Sequence, residues 1–286
     1  MSEEENQPNP FQGPPPPPQP PASQNKLEAL SNSVGFDIPV ESVPLPSRGL
    51  VYPIDNVLSN EERVDIRAMS AKQEDILTSR ALIKNGTVIT HLLQSCLLNK
   101  AVDVDQMLTG DRNAVLIAIR VTGYGSEYKV KVSCPDCDEE SDYEFSLARL
   151  KVKSLGANPV YPNTNLFEYT LPKSGLQMQF RLFTGADEAE LSRMADRRRK
   201  LGSQVDEVVT SRLFAATVAV NGVTDRQKIK KITDNLMAYD AKAYRKYMTD
   251  IEPGVEMKQE FVCSRCTAES EVDVPLGTTF FWPDVG

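Results

Sequence analysis

Two stretches far apart in the chain follow one plan, and this repetition constrains the fold more than any other feature. The first, "KVKVSCPDCDEESDYEFSL", runs from Lys129 to Leu147, and the second, "KQEFVCSRCTAESEVDVPL", from Lys258 to Leu276. Each is an alternating strand, a Cys-x-x-Cys turn, an acidic connection and a second alternating strand. Zinc takes four tetrahedral ligands, and a hairpin with Cys-x-x-Cys at its bend offers two thiolates, so the second hairpin supplies what the first lacks. The expected site is one zinc per chain held by Cys134, Cys137, Cys263 and Cys266, a zinc-ribbon-like pair of β-hairpins. Four cysteine ligands leave no position open for water or substrate, which makes the zinc structural. Closing so long a loop costs chain entropy that grows only slowly with length. A redox pair would instead open a helix, whose N-terminus lowers the thiol pKa, and here strands follow both pairs.

Composition narrows the class. Of 286 residues 40% are hydrophobic, enough for an ordinary core. No window approaches 18 apolar residues, and "MSEEENQPNP" is acidic where a secretory signal is basic and then apolar, so membrane insertion and export by that route are not expected. A net charge of -8 repels phosphate, so nucleic-acid binding would need a local basic patch, and protein partners are expected instead. Five cysteines are few for a disulfide framework. Cys96, in the leucine-rich "THLLQSCLLN", reads as a buried thiol.

The chain divides at changes of pattern. Residues 1–40 form an acidic tail with "GPPPPPQPP" at its centre, expected to be disordered or polyproline-like. Residues 41–126 hold an extended arm, "VPLPSRGLVYP", then a strand in "VDIRAMS" and a helical lobe. Its helices are "AKQEDILTSRALIKNG" (capped by Ser70 with Gln73), "VITHLLQSCLLN" (capped by Thr87), and an apolar helix from Asp111. Residues 127–150 are the first ribbon hairpin. Residues 151–254 are an insertion: a β-hairpin turning at Lys173-Ser174-Gly175, then four helices. Those four are "ADEAELSRMADRRRKLG", "QVDEVVTSRLFAATVAV", "DRQKIKKITDNLMAY" and "DAKAYRKYMTDI", the last two capped by Asp225 and Asp240. Residues 255–286 are the second ribbon hairpin and an aromatic C-terminal arm. The fold class is therefore α+β.

Little in the chain suggests catalysis. His91, the single histidine, sits in an apolar helix and reads as a core or boundary residue. Gly123-x-Gly125 falls between helix and strand and lacks the third glycine of a nucleotide loop, so it reads as a turn. No catalytic residue, small-molecule substrate or enzyme activity is expected. The run Arg193 to Lys200 follows acidic residues on the same helix and has no interleaved aromatics, so it reads as a solvated or partner-facing surface. A nucleic-acid-binding zinc ribbon using Arg197, Arg198, Arg199 and Lys200 is the alternative function. The terminal "FFWP" is expected to dock back on the core.

Taken in order, "LPSRGLVYP", "VDIRAMSAKQEDIL", the "CPDC" and "CSRC" knuckles, the "VNG" before a helix and the final "FFWP" resemble the T4-like tailed-phage (myovirus) baseplate protein family, which includes a baseplate hub subunit. The likeness runs from about Val43 to Pro283 and leaves the proline-rich head outside. It implies a non-enzymatic virion or assembly protein of the tail baseplate, assembled in the host cytoplasm. Its partners would be other hub, wedge or tail-tube proteins. The resemblance carries over no catalytic residue.

Overall fold

Prolines at 39, 44, 46 and 53 keep the arm out of helix, and in the computed structural model it forms a strand followed by consecutive turns. The structure describes residues 38–202, 207–274 and 280–281. The chain divides into two units, Met1–Pro39 and Val40–Gly286. The expectation for the proline-rich tail lies outside the described residues. In the larger unit β1 (Val40–Pro44) pairs antiparallel with β2 (Arg63–Arg67), Val43 opposite Val64. The alternation of β2 is real: Val64 and Ile66 point inward and their charged neighbours outward. Leu45, Val51 and Tyr52 of the arm are buried.

The helix expected from Ala71 to Gly86 is broken at Ser79 into α1 (Ala71–Thr78) and α2 (Arg80–Asn85). Thr78 turns its hydroxyl back to the carbonyls of Glu74 and Asp75, and the Ser79 N–H closes a tight turn on Ile76, so polar groups of the chain end the first helix. At the start of α1, Gln73 reaches back to the Ser70 N–H at 3.1 Å, as its position suggested. Helix α3 (Val88–Cys96) follows, although Thr87 makes no side-chain cap.

Helix α4 (Thr109–Tyr124) is apolar on most faces because it is packed from several sides, against β1, β2 and α3. Its first turn also meets β9 (Gly254–Glu256), which pairs with β5 (Lys151–Lys153). At that crossing a Cβ on Gly110 would lie 1.8 Å from the Pro253 carbonyl oxygen, so only glycine fits. Gly125 ends α4 with its N–H on Val121, the helix-to-strand turn expected there.

After β5 comes the expected hairpin, β6 (Phe167–Thr170) and β7 (Gln177–Phe180). A third strand extends it: "TVAV", expected as the end of a helix, is β8 (Thr217–Val220), paired with β7. β-branched residues and an Asn221-Gly222 turn, both central φ angles positive, favour strand there. Helices α5 (Gly185–Lys200), α6 (Val208–Ala216), α7 (Arg226–Asp234) and α8 (Ala238–Ile251) complete the insertion. Tyr244 and Tyr247 of α8 pack their rings on Tyr169 and Phe180 of the sheet. No helix of the described residues is long and apolar enough to cross a membrane.

Asp225 caps α7 as expected, accepting the Lys228 N–H at 2.9 Å. Asp240 does not cap α8. The helix starts three residues after Asn235, with Met237 at the cap, and Asp240 is its third residue.

Candidate metal centre

The two cysteine turns are built alike. In the first hairpin, β3 (Glu127–Ser133) pairs with β4 (Glu140–Ser146), and in the second, β10 (Lys258–Val262) pairs with β11 (Glu269–Asp273). Each turn closes on its first cysteine. The Cys134 N–H donates to Glu139 O at 2.9 Å and the Asp138 N–H to Cys134 O at 2.9 Å; Cys263 with Ala268, and Thr267 with Cys263, repeat this at 3.0 Å. The residue after the second cysteine is left-handed in both, Asp138 at φ 54° and Thr267 at φ 57°. That kink turns both sulfurs of a hairpin to the same side.

Facing each other, the hairpins bring all four sulfurs within 4.8 Å of one another. Cys134 Sγ lies 3.7 Å from Cys266 Sγ, and Cys137 Sγ lies 3.7 Å from Cys263 Sγ, across sequence separations of 132 and 126 residues. A tetrahedron of thiolates with metal–sulfur bonds of about 2.3 Å has edges of about 3.8 Å, whereas a disulfide needs about 2.0 Å. The donor set and its spacing therefore fit one tetrahedrally bound metal ion. Backbone N–H groups of Cys266 and Arg265 draw the Cys263 thiol down to about 7. At Cys137 and Cys266 the backbone hydrogen bonds are outweighed by burial and the neighbouring sulfurs, so Cys137 is pushed up to about 12 and Cys266 is raised. Without a metal the four sulfurs therefore share few negative charges. Cys134 and Cys263 are buried, Cys137 is half-buried and Cys266 is exposed.

Aromatic packing joins the two hairpins to each other and to the rest of the unit. Tyr143 bridges Phe145 of its own hairpin (4.8 Å between ring centres) and Phe261 of the other (5.1 Å). Phe280 packs edge-on against Tyr128 at 5.2 Å and against Phe281 at 5.4 Å. The buried Arg120 of α4 donates from Nε to Phe280 O at 2.9 Å, from Nη1 to Gly125 O at 2.8 Å and from Nη2 to Glu127 O at 3.2 Å. The terminal phenylalanines thus dock on the core as expected, while Trp282 lies outside the described residues.

Other residues singled out in the sequence lie away from the sulfurs in chain and role. Cys96 is buried in α3. His91, expected at a core or boundary position, is exposed on the same helix, whose buried face is carried by Val88, Leu92, Leu93 and Cys96. In the basic run, Arg193 pairs with Glu190, Arg198 with Glu207 and Arg199 with Asp196. Sequence reasoning missed Asp111 and Asp240 as tertiary anchors. Both are wholly buried, and nothing in the sequence around them distinguishes a carboxylate that caps a helix from one that reaches across to another segment.

A model of the family described as T4 bacteriophage base plate protein matches residues 51–282. Searches of curated proteins and of solved structures return no match. The matched span takes in both cysteine hairpins and all of the helical insertion between them, and the chain belongs to the T4 bacteriophage base plate protein family.

Proposed function

We propose that this chain is a non-enzymatic component of the phage tail baseplate hub, structural or assembly, whose fold is pinned by one zinc ion on Cys134, Cys137, Cys263 and Cys266. The family membership supports a baseplate role and contact with other phage structural proteins. The observation that carries the zinc reading is the 3.7 Å sulfur spacing across the two hairpins. When bound, the ion supplies a four-way cross-link and no open coordination position. The chain's own residues do the rest: the two turns orient the sulfurs, and Tyr143 and Phe261 keep the hairpins in contact. The division proposed from the sequence goes with this reading, with ribbon hairpins at 127–150 and 255–286 clamping the ends of the insertion at 151–254. Hub, wedge or tail-tube proteins are the proposed partners, and the virion tail the proposed location.

Charge weighs against the nucleic-acid alternative. The ribbon strands and turns, 127–146 and 258–273, contain 11 Asp and Glu against four Lys and Arg. A zinc ion bound by four thiolates adds net negative charge. Phosphate would be repelled by the hairpins themselves, which leaves that alternative resting on the basic run of α5 alone. Three residues of the basic run, Arg193, Arg198 and Arg199, are already paired with carboxylates.

Elemental analysis of the purified full-length protein tests the metal, with about one zinc per chain expected. Co-sedimentation with baseplate intermediates tests the hub assignment. Zinc without incorporation into the hub would leave the metal and refute the location; incorporation without zinc would do the reverse.

A further inference from the structure

The four sulfurs differ in what can reach them. Cys134 and Cys263 are 0% and 1% exposed, whereas Cys266 is exposed and Cys137 half-buried. Each 3.7 Å contact across the hairpins therefore joins a sulfur that solvent reaches to one that it does not, Cys266 to Cys134 and Cys137 to Cys263. All four are free thiols, so no bond commits them to other partners. A disulfide holds its sulfurs about 2.0 Å apart, so each contact has to close by roughly 1.7 Å, shared between two side chains. The hairpins are also held by contacts that use no ion. Arg265 Nη1 donates to Glu139 Oε2 at 2.8 Å from one cysteine turn to the other, and Tyr143 packs on Phe261.

Solvent reach decides where oxidation starts. A thiolate attacks one oxygen of hydrogen peroxide, the O–O bond breaks, and the sulfur becomes a sulfenic acid as hydroxide leaves. The neighbouring thiolate then attacks that sulfur, the S–O bond breaks, and a second hydroxide leaves as the S–S bond forms. Each pair of thiolates gives two electrons to one peroxide, and protons from solvent convert the hydroxides to water. The first link leaves two thiolates where a zinc ion takes four ligands, and the ion is given up. Each link closes the same long loop that the ion closes, across 132 or 126 residues.

We propose that Cys266 and Cys137 are peroxide-oxidation sites resolved by Cys134 and Cys263, so that two disulfides between the hairpins, Cys134–Cys266 and Cys137–Cys263, replace the metal clamp under oxidising conditions. The proposal rests on reading these residues as one four-sulfur centre, not on which ion fills it. A chain assembled in the host cytoplasm and carried out in the virion, as proposed above, passes from a reducing compartment to an oxidising one, and its insertion stays clamped in both.

The test treats the purified full-length protein with hydrogen peroxide and follows zinc release to a chromogenic chelator, the thiol count, and disulfide-linked peptides by mass spectrometry. Asp136 lies between Cys134 and Cys137, and Arg265 between Cys263 and Cys266, so trypsin with an aspartate-specific protease puts the four cysteines on separate peptides. Four of the five thiols should be lost, with Cys96 staying reduced in its buried position, and dithiothreitol should restore them. The linked peptides should be those of Cys134 with Cys266 and of Cys137 with Cys263. Dimedone present during a brief exposure should label Cys266 and Cys137 at least about fivefold more than Cys134 and Cys263. The oxidised protein should melt at least about 10 °C above the reduced, metal-free protein.

Links within a turn, links between chains, or sulfinic and sulfonic acids in place of disulfides overturn the proposal. Equal or reversed dimedone labelling does so too, as does an oxidised protein that melts with the reduced, metal-free form. The two readings fail separately. The two cross-hairpin links forming in a protein purified without zinc would refute the metal reading and keep this one, whereas bound zinc with links in other places would do the reverse.

Discussion

Asp111 and Asp240 occupy the same place in two different helices. Each is the third residue of its helix, each helix is capped by an apolar residue in extended conformation (Leu108 and Met237), and each carboxylate holds a segment distant in sequence. Asp111 accepts the Ser47 N–H at 2.8 Å, the Ser47 hydroxyl at 2.5 Å and the Tyr52 hydroxyl at 2.7 Å, which fixes the N-terminal arm on α4. Asp240 accepts the N–H groups of Lys173 and Ser174 at 2.9 and 3.0 Å, which fixes the β6–β7 hairpin on α8. Both sites lie near the positive end of a helix dipole, which favours an acidic residue there.

Removing the Asp111 carboxylate leaves three buried donors without an acceptor. Asp111→Ala should therefore cost about 3–5 kcal/mol, read as a lowered urea midpoint at unchanged slope. A change under about 1 kcal/mol would show that the arm is held by Leu45 and Val51 packing instead.

The two carboxyls titrate in opposite directions. Burial pushes Asp111 above its ordinary value of 3.8, and the hydrogen bonds from Ser47 and Tyr52 oppose this without cancelling it. Burial acts the same way on Asp240, but there the hydrogen bonds from Ser174 and Lys173 win and hold the carboxyl below 3.8. A raised native value means the folded state holds the proton more tightly, so the Asp111 contribution is whole below about pH 3.9 and is lost as pH rises through the native value. The Asp240 contribution is whole above about pH 3.9 and is lost as pH falls through its depressed value. The melting-temperature advantage of the parent over Asp111→Asn should thus shrink from about pH 3 towards neutrality, and that over Asp240→Asn should shrink from about pH 5 downward. Thermal melts across this range check it, and parallel curves for both variants would contradict the assignment.

The meeting of the four cysteines was legible from the sequence because a hairpin bend and a Cys-x-x-Cys spacing are both local patterns, and the second segment repeats the plan of the first. The buried α4 and the β6–β7 hairpin were legible for the same reason, through periodicity and a Gly175 turn. What was not legible depends on contacts made elsewhere in the fold. Strand β8 reads as helix when taken with α6, because "LFAATVAV" is apolar except for Thr217 and carries no turn residue; only its pairing to β7 decides the state. Asp240 reads as a cap because an aspartate before a helical run usually is one, and the hairpin it holds lies 66 residues away in sequence.

Loss of one cysteine ligand separates the metal reading from chance proximity. Cys263→Ser should lower zinc from about one per chain to a small fraction and cost at least about 3 kcal/mol, a fall of roughly 10 °C in melting temperature. Cys96→Ala, in α3, should keep full zinc. Zinc content insensitive to Cys263→Ser would remove the ribbon assignment.

Two glycines should behave very differently on substitution by alanine. At Gly110 the new methyl would sit 1.8 Å from a backbone oxygen of Pro253, so α4 and β9 must part, at a cost of about 3 kcal/mol or more, enough to threaten soluble expression. At Gly175 nothing lies within 4 Å, and only its φ of 70° is unfavourable, so Gly175→Ala should cost about 1 kcal/mol. Urea denaturation of the two variants compares them directly.

Thr267 is the β-branched member of the two left-handed residues in the cysteine turns. At φ 57° its branched side chain is strained, whereas Asp138 in the matching place belongs to a type that tolerates this region. The turn keeps the strained residue because the Thr267 N–H must reach Cys263 O at 3.0 Å for the sulfurs of Cys263 and Cys266 to face the same way. Thr267→Asn preserves that backbone bond and relieves the strain, so the zinc-loaded protein should gain about 1 kcal/mol, or roughly 2–4 °C in melting temperature. Zinc stoichiometry should be unchanged and release to a chelator slower. A loss of stability would mean that the Thr267 hydroxyl, which donates to Cys266 O at 2.7 Å, contributes more to the turn than its backbone strain removes.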